Sequence, residues 1–423
     1  MIRLIYNFIL ILVFPIFFTV LYIKKTKKSS IRKRWKEYFG NVPRLKYKQK
    51  PIWIHASSVG EVITAFPIIK FLKKNYPNEK ILITTTTSTG AEQVKKFSSS
   101  IEHRYMPIDF VFAVENFLQT IKPKKMLIME TELWPNTIRA VNKAGIPIII
   151  VNARLSKHSM QRYKKVNNLF HFFAKNINHF LCQYQTDAEN FITLGIPRNK
   201  IFVTGSIKFD LHIDHHILNK GKQLRSQLGS DRPIWVAVST HHGEERQILV
   251  AHYQLLSDLP NSLLIIAPRH PERFNAVAKL CEEKAFKYSR RSKNKQPTNK
   301  EHIYIADTMG EMLTIIGAAD ICFMGGSLIE GKIGGHNVLE PAALAKPILT
   351  GPNYFNFSTI VHKLQKHGAI QIIYNPTELA NALKKLFKFP NKIDRMGNNA
   401  VAVMKMNQGA TGKTIDFIQN DVK

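Results

Sequence analysis

The sequence predicts an α/β protein of two Rossmann-like, doubly wound domains facing a cleft, preceded by an N-terminal membrane-anchor helix. Three observations carry this reading. Short apolar runs alternate with helix-length segments along the chain. The length, 423 residues, is more than one core usually covers, so two domains are expected. Residues 4–23 form a predominantly apolar stretch that ends in a cluster of lysines.

That first stretch, "LIYNFILILVFPIFFTVLYI", has about the roughly 20 residues needed to cross a bilayer. Lys24, Lys25, Lys27 and Lys28 follow it, then Arg32, Lys33 and Arg34. A cleaved signal peptide would carry its charge in front of a shorter apolar core and a small-residue cleavage site behind it. Here the charge lies behind, with only Arg3 in front, which leaves the rest of the chain on the cytoplasmic side. Residues 1–28 are therefore read as a membrane anchor whose basic flank grips anionic head groups. Asn7 and Pro15 leave both a full span and a shallow monotopic insertion open.

Strands are expected at 51–56, 81–86, 126–129, 147–153, 179–183 and 201–205, and again at 233–239, 263–268, 303–306, 321–326, 347–351 and 370–373. These runs are too apolar for one-sided sheets, so they imply parallel sheets with helices on both faces. The polar stretch that follows the sixth strand divides the chain into domains at 29–215 and 216–423. "SRRSKNKQPTNK" (289–300) reads as a solvated loop. Cys182, Cys281 and Cys322 have no metal-binding spacing and read as core residues.

With 61 basic and 30 acidic residues, the formal charge is +31. Such an excess favours polyanionic partners: nucleic acid, anionic lipid or phosphorylated substrates. Residues 1–50 alone carry 13 Lys and Arg against one acid, Glu37. No zinc finger or aromatic-basic RNA-binding segment is present, so nucleic acid is not expected as a partner.

The polar residues to be explained stand where strands end. In "HASSVGEV" (55–62), Ser58 has the spacing of a helix cap with Glu61 completing a capping box; the same carboxylate stands where a doubly wound sheet meets its ligands. "METELWPN" (129–136) places Glu130 and Glu132 after the third expected strand, and "GSIKFD" (205–210) places Lys208 after the sixth. In the second half, "PRHPERF" (268–274) puts Arg269 after a strand, and "DTMGEM" (307–312) opens a helix. The glycine-rich "GGSLIEGKIGGHNVLEPAALAKPILTGP" (325–352) leads through His336 and Asn337 into a helix with Glu340. A glycine loop feeding a helix N-terminus suits a phosphate, and an acid on its first turn suits ribose hydroxyls. Together these loops point to a nucleotide-sugar site. "HIDHH" (212–216) and "THHGEE" (240–245) invite a metal reading, but adjacent histidines on a turn rarely converge, so no metal is expected. Thr240 to Glu245 are expected instead to cap a helix, and Phe-rich 168–180 to be core.

Taken in order, "SSVGE", "METELWPN", "NARLS" (152–156), "TGSIKFD", "PRHPERF", "DTMGE", "GGHNVLEPAA" and "GPNYFNF" (351–357) resemble the motifs of 3-deoxy-D-manno-octulosonic acid (Kdo) transferases. The resemblance runs from the N-terminus to about residue 360. It implies a GT-B glycosyltransferase fold, CMP-Kdo as donor, the lipid A precursor (lipid IVA) as acceptor, and an inverting mechanism without metal or cofactor at the inner membrane. Carried over motif by motif, Glu61 becomes the general base, with Glu130 and Lys208 as transition-state stabilisers. Pro268, Arg269, Met309, Gly310, Glu311, Asn337, Val338, Leu339 and Glu340 become the residues that hold CMP. Between Glu330 and Gly334 the chain is longer than the family pattern Glu-x-Gly-Gly-His-Asn. Another nucleotide-sugar glycosyltransferase, or an epimerase on the same twin-domain fold, is the alternative.

Overall fold

The strands of the computed structural model form two seven-stranded sheets, and every strand pair in them is parallel. The structure describes the backbone of residues 2–23, 34–97, 101–293, 297–298, 300–329, 331 and 333–420. Glu330 and the lysines at 24–28 lie outside the described residues.

The first sheet comprises β1 (Ile52–His55), β2 (Ile81–Thr85), β3 (Glu102–Tyr105), β4 (Lys125–Met129), β5 (Ile148–Ala153), β6 (His179–Cys182) and β7 (Ile201–Val203), in the order β3-β2-β1-β4-β5-β6-β7. The second comprises β8 (Ile234–Thr240), β9 (Leu263–Pro268), β10 (Tyr288–Arg290), β11 (Ile303–Ile305), β12 (Ile321–Met324), β13 (Ile348–Thr350) and β14 (Ile370–Ile372), in the order β10-β11-β9-β8-β12-β13-β14. The central strands β1, β2, β4, β5, β8 and β9 are buried at every position. Their continuous apolar runs reflect helices on both faces. Twelve of these strands correspond to expected ones. The other two, β3 ("EHRY") and β10 ("YSR"), each lie at an edge of a sheet. An edge strand has one unpaired side and tolerates charge, so it lacks the apolar run that marks a central strand. The start of the expected loop 289–300 is accordingly the end of β10.

The chain forms two compact units. Residues up to Asp210 belong to the first together with residues from Gln408 onward, and Leu211–Asn407 form the second. The sequence expectation of a second domain running to residue 423 differs here. The C-terminal helix Ala410–Asn420 packs on the helix Val59–Asn75, and its Ala410, Ile415 and Ile418 join the buried cluster of the first unit that also contains Ile54 and Ile68. The Asp210 carboxylate accepts the Gly409 and Thr411 amides, and Lys125 donates to the Ile418 carbonyl. Cys182, Cys281 and Cys322 are buried free thiols, and Phe170, Phe173 and Phe180 are core, as expected.

The first helix, Ile2–Ile23, docks by its few polar groups: Tyr6 Oη donates to Asp109 Oδ2 at 2.8 Å, and Asn136 Nδ2 to Asn7 Oδ1 at 2.7 Å. Phe14 meets Phe39 and Phe110 edge-on, beside an apolar cavity of about 230 Å³ lined by Leu10, Val13, Met106, Ile108 and Trp134. Leu4, Ile5, Phe8, Ile9, Ile11 and Leu12 are exposed. Among the described residues no helix is long and apolar enough to cross a membrane. The expectation of a full span is therefore not met: where side chains are described, one side of this helix packs on protein.

Candidate active site

In the first sheet β1 pairs with β2 on one side and β4 on the other, so the winding reverses between β1 and β4. Ligands of doubly wound sheets bind beyond the carboxyl ends of the strands at such a reversal. The loops leaving these two strands carry Glu61, Glu130 and Glu132.

Ser58, in extended backbone, caps the helix Val59–Asn75 by accepting the Glu61 amide at 3.4 Å. The Glu61 carboxylate turns back to accept the Ser57 backbone N–H and, at 2.9 Å, the Ser57 hydroxyl. The single proton of that hydroxyl also has Glu132 Oε1 within 3.0 Å. Cap and candidate carboxylate are thus one arrangement. Burial pushes Glu61 up to about 7; Ser57's hydrogen bonds oppose this, while Glu132 and Glu130 add to it.

Glu130 takes a left-handed backbone conformation (φ 56°), which is uncommon for a residue with a side chain. Its carboxylate meets Lys208 Nζ at 2.8 Å. Lys208 lies on the short turn Ile207–Phe209, which is held by Asn152: its Oδ1 accepts the Ile207 amide at 3.1 Å. Thr131 Oγ1 and the Arg154 backbone exchange hydrogen bonds, tying the loop after β4 to the segment after β5. The expected trio Glu61, Glu130 and Lys208 therefore gathers within the first unit. Sequence reading assigned no role to Ser57 beyond the turn or to Asn152; the "NARLS" motif was the available signal.

In the second unit the reversal falls between β8 and β12. Pro268 ends β9, and the exposed Arg269 bonds through its amide to the Thr240 carbonyl. His241, after β8, and His336, on the glycine-rich loop after β12, bring their Nε2 atoms to 2.8 Å. Glu311 is held by Arg291 in a two-pronged ion pair, both contacts 2.7 Å, and by the Thr308 hydroxyl; Arg291 holds its carboxyl down at about 2. Met309 is exposed and Gly310 has φ 88°. The Asn337 side chain bridges the Leu339 amide and Glu340. Val338 and Leu339 bury their side chains in the core, so only their backbone can face a ligand. The two helices after these loops, Met312–Ala318 and Leu339–Ala343, are 7 and 5 residues long.

The expectation that residues 240–245 cap the following helix by their side chains is not met: Gly243 is the N-cap of Glu244–Leu256 and no side chain caps it, while Glu244 and Glu245 brace neighbouring loops instead. Glu244 is fully buried, and its carboxylate accepts the amides of Gly326, Ser327 and Leu328 at 2.7–3.0 Å. Glu245 bonds Arg273 and Thr240. In "HIDHH", His212 and Asp214 are exposed and 3.9 Å apart. Among the described residues no group of three or more His, Cys, Asp or Glu is arranged to hold a metal.

Residues 33–211 match the family model of 3-deoxy-D-manno-octulosonic-acid transferase. Over 420 residues the chain is 38% identical to a 3-deoxy-D-manno-octulosonic acid transferase of Haemophilus influenzae, covering 99% of this chain and 98% of that one. The chain belongs to the Kdo transferase family. This transferase is also 30% identical to the Bordetella pertussis 3-deoxy-D-manno-octulosonic acid transferase, over 88% of this chain and 87% of that one. Its fold is that of the GT-B glycosyltransferases: the MurG structure from Acinetobacter baumannii covers 88% of this chain and all of its own (100%) with TM-score 0.55 at 15% identity. A UDP-GlcNAc 2-epimerase from Neisseria meningitidis covers 88% of this chain and 100% of its own at TM-score 0.61 and 14% identity, a likeness of fold alone. As a Kdo transferase, the protein is a glycosyltransferase enzyme.

Proposed function

We propose that this Kdo transferase of lipopolysaccharide biosynthesis takes Kdo from CMP-Kdo and transfers it to a hydroxyl of the lipid A precursor, with inversion and without a metal. The observation that carries the reading is the half-buried Glu61 carboxylate, raised to about 7, beside the Lys208–Glu130 pair. A sugar hydroxyl is a poor nucleophile until its proton leaves, and a base poised near the working pH removes it with least cost. As the acceptor oxygen bonds to the anomeric carbon, its proton passes to Glu61, and the carbon–oxygen bond to CMP breaks with its electron pair leaving on the phosphate. Lys208, oriented by Glu130, stabilises the charge that develops at the reacting centre. Entry from the face opposite the departing phosphate inverts the anomeric centre. The donor domain is the second unit, with Arg269, the 309–311 turn and Asn337 to Glu340 around CMP.

The enzyme works at the inner membrane, with its domains on the cytoplasmic side. The outward apolar residues Leu4, Ile5, Phe8 and Ile9 of the first helix, next to Lys164 and Lys165, support contact with anionic lipid by shallow insertion.

The test is release of CMP from CMP-Kdo with and without lipid A precursor, in the presence of a chelator. Release that depends on the precursor and survives chelation is expected. Activity lost with chelator and restored by a divalent ion overturns the metal-free mechanism, and turnover of UDP-N-acetylglucosamine instead of CMP-Kdo overturns the donor.

A further inference from the structure

Two imidazoles in the second unit face each other where the proposed reaction needs an anion site. His241 and His336 place their Nε2 atoms 2.8 Å apart, with ring centroids 5.1 Å apart and planes within 5° of parallel. One of these nitrogens must donate and the other accept, so the pair closes on a single shared proton. His336 is fixed from behind: a Cβ on Gly326 would come within 2.7 Å of its ring. His270 lies 5.4 Å from His241, centroid to centroid.

We propose that this pair takes up a proton when the phosphate of a cytidine nucleotide binds beside Arg269, each Nε2–H then donating to the anion instead of to its partner. The proposal rests on the CMP-Kdo reading and adds the groups that read the phosphate. The proton comes from solvent and protonates the accepting Nε2; no covalent bond changes.

Without an anion the pair is kept neutral. Burial depresses both imidazoles to about 4; His270, Arg269 and Arg273 add to this for His241, and His241, Arg269 and His270 for His336. The charged groups around it come from three elements. After β8 stand His242, Glu244 and Glu245, and after β9 stand Arg269, His270 and Arg273; the loop after β12 brings Glu340. The acids are engaged elsewhere: Glu244 by backbone amides, Glu245 by Arg273, Glu340 by Asn337. An arriving anion therefore meets cations and imidazoles, and it raises the pair's proton affinity by supplying the missing negative charge. Proton uptake and phosphate binding then strengthen each other.

The experiment is calorimetric titration of the full chain with CMP at pH 7 in buffers of different ionisation enthalpy, with cytidine as the probe lacking phosphate. At pH 7 a phosphate monoester, with second pKa about 6, is already mostly dianionic, so uptake there belongs to the protein. The expected result is uptake of about half to one proton with CMP, none with cytidine, and CMP affinity that falls as pH rises from 6 to 8. His241→Gln and His336→Gln are expected to bind CMP with the uptake removed. In the wild type, histidine Cε1 resonances titrated with and without CMP read the same change without substitution. CMP binding without uptake overturns the proposal and leaves the donor assignment standing, as does uptake retained in both variants. No CMP binding by the wild type removes the donor assignment and the proposal together.

Discussion

Lys208 Nζ lies 2.8 Å from Glu130 Oε1, pairing a cation from the turn after β7 with a carboxylate from the loop after β4. Both side chains remain about a quarter exposed. An ion pair in such contact with solvent contributes only about 0–1 kcal/mol to folding. Stability does not explain the arrangement, whereas a cation held in one orientation suits charge that appears during reaction. Lys208→Met is expected to lower turnover by about 10²–10³ while unfolding in urea within about 1 kcal/mol of wild type. Loss of stability matching the loss of turnover would assign the pair to folding.

The pH response of Glu61 separates cap from base. A base is active as carboxylate, so with Glu61 at about 7 turnover should fall below pH 7. Glu61→Gln still caps through its backbone, and is expected to fold and bind CMP-Kdo while losing at least about 10² in turnover and the acid limb. Turnover within a few-fold of wild type would move the base to Glu130.

The same shift has a stability consequence of defined sign. The folded-state value of about 7 stands above the ordinary 4.5, so between these the folded protein binds more protons than the unfolded chain. Stability should therefore decline as pH rises through that window, and Glu61→Gln should flatten the decline. Denaturant midpoints at pH 5 and pH 7.5 for both proteins measure it; equal slopes count against the burial of Glu61.

Glu244 tests the brace under the glycine loop. Its removal leaves the buried amides of Gly326 and Ser327 and the half-buried amide of Leu328 without acceptors, each buried one costing about 1–3 kcal/mol if no water replaces the carboxylate. Glu244→Ala is expected to lose about 3–5 kcal/mol, in line with the removal of one partner from a buried charged network, and Glu244→Gln less. A urea titration showing less than about 1 kcal/mol lost would mean that the loop holds itself.

Asp109 plays the corresponding part in the first unit. Its buried carboxylate accepts the Asn136 and Thr137 amides and the Thr137 hydroxyl, capping the helix Pro135–Lys143, and also the Tyr6 hydroxyl. Tyr6→Phe leaves three donors in place and should cost about 0.5–1.5 kcal/mol; Asp109→Ala strips the cap as well and should cost at least twice that. Equal losses from the two would show that the first helix, not the cap, dominates.

What the sequence by itself determined is whatever rests on neighbours along the chain. Twelve apolar runs marked parallel strands, Ser58 and Glu61 marked a helix start, and ordered motifs such as "METELWPN" carried the family. The missed strands β3 and β10 are polar because an edge needs only one partner. The C-terminal helix looked like part of the second domain because its attachment to the first depends on Ile415 and Ile418 joining a core cluster built by residues more than 200 positions earlier in the chain. Only the tertiary structure decided that Ser57 stands between Glu61 and Glu132, that Lys208 reaches Glu130, and that His241 meets His336. Periodicity and propensity are set within a few residues, but a site is made by loops from distant strands. Their meeting is decided by strand order and by the buried hydrogen bonds that hold each loop, and neither has a local signature.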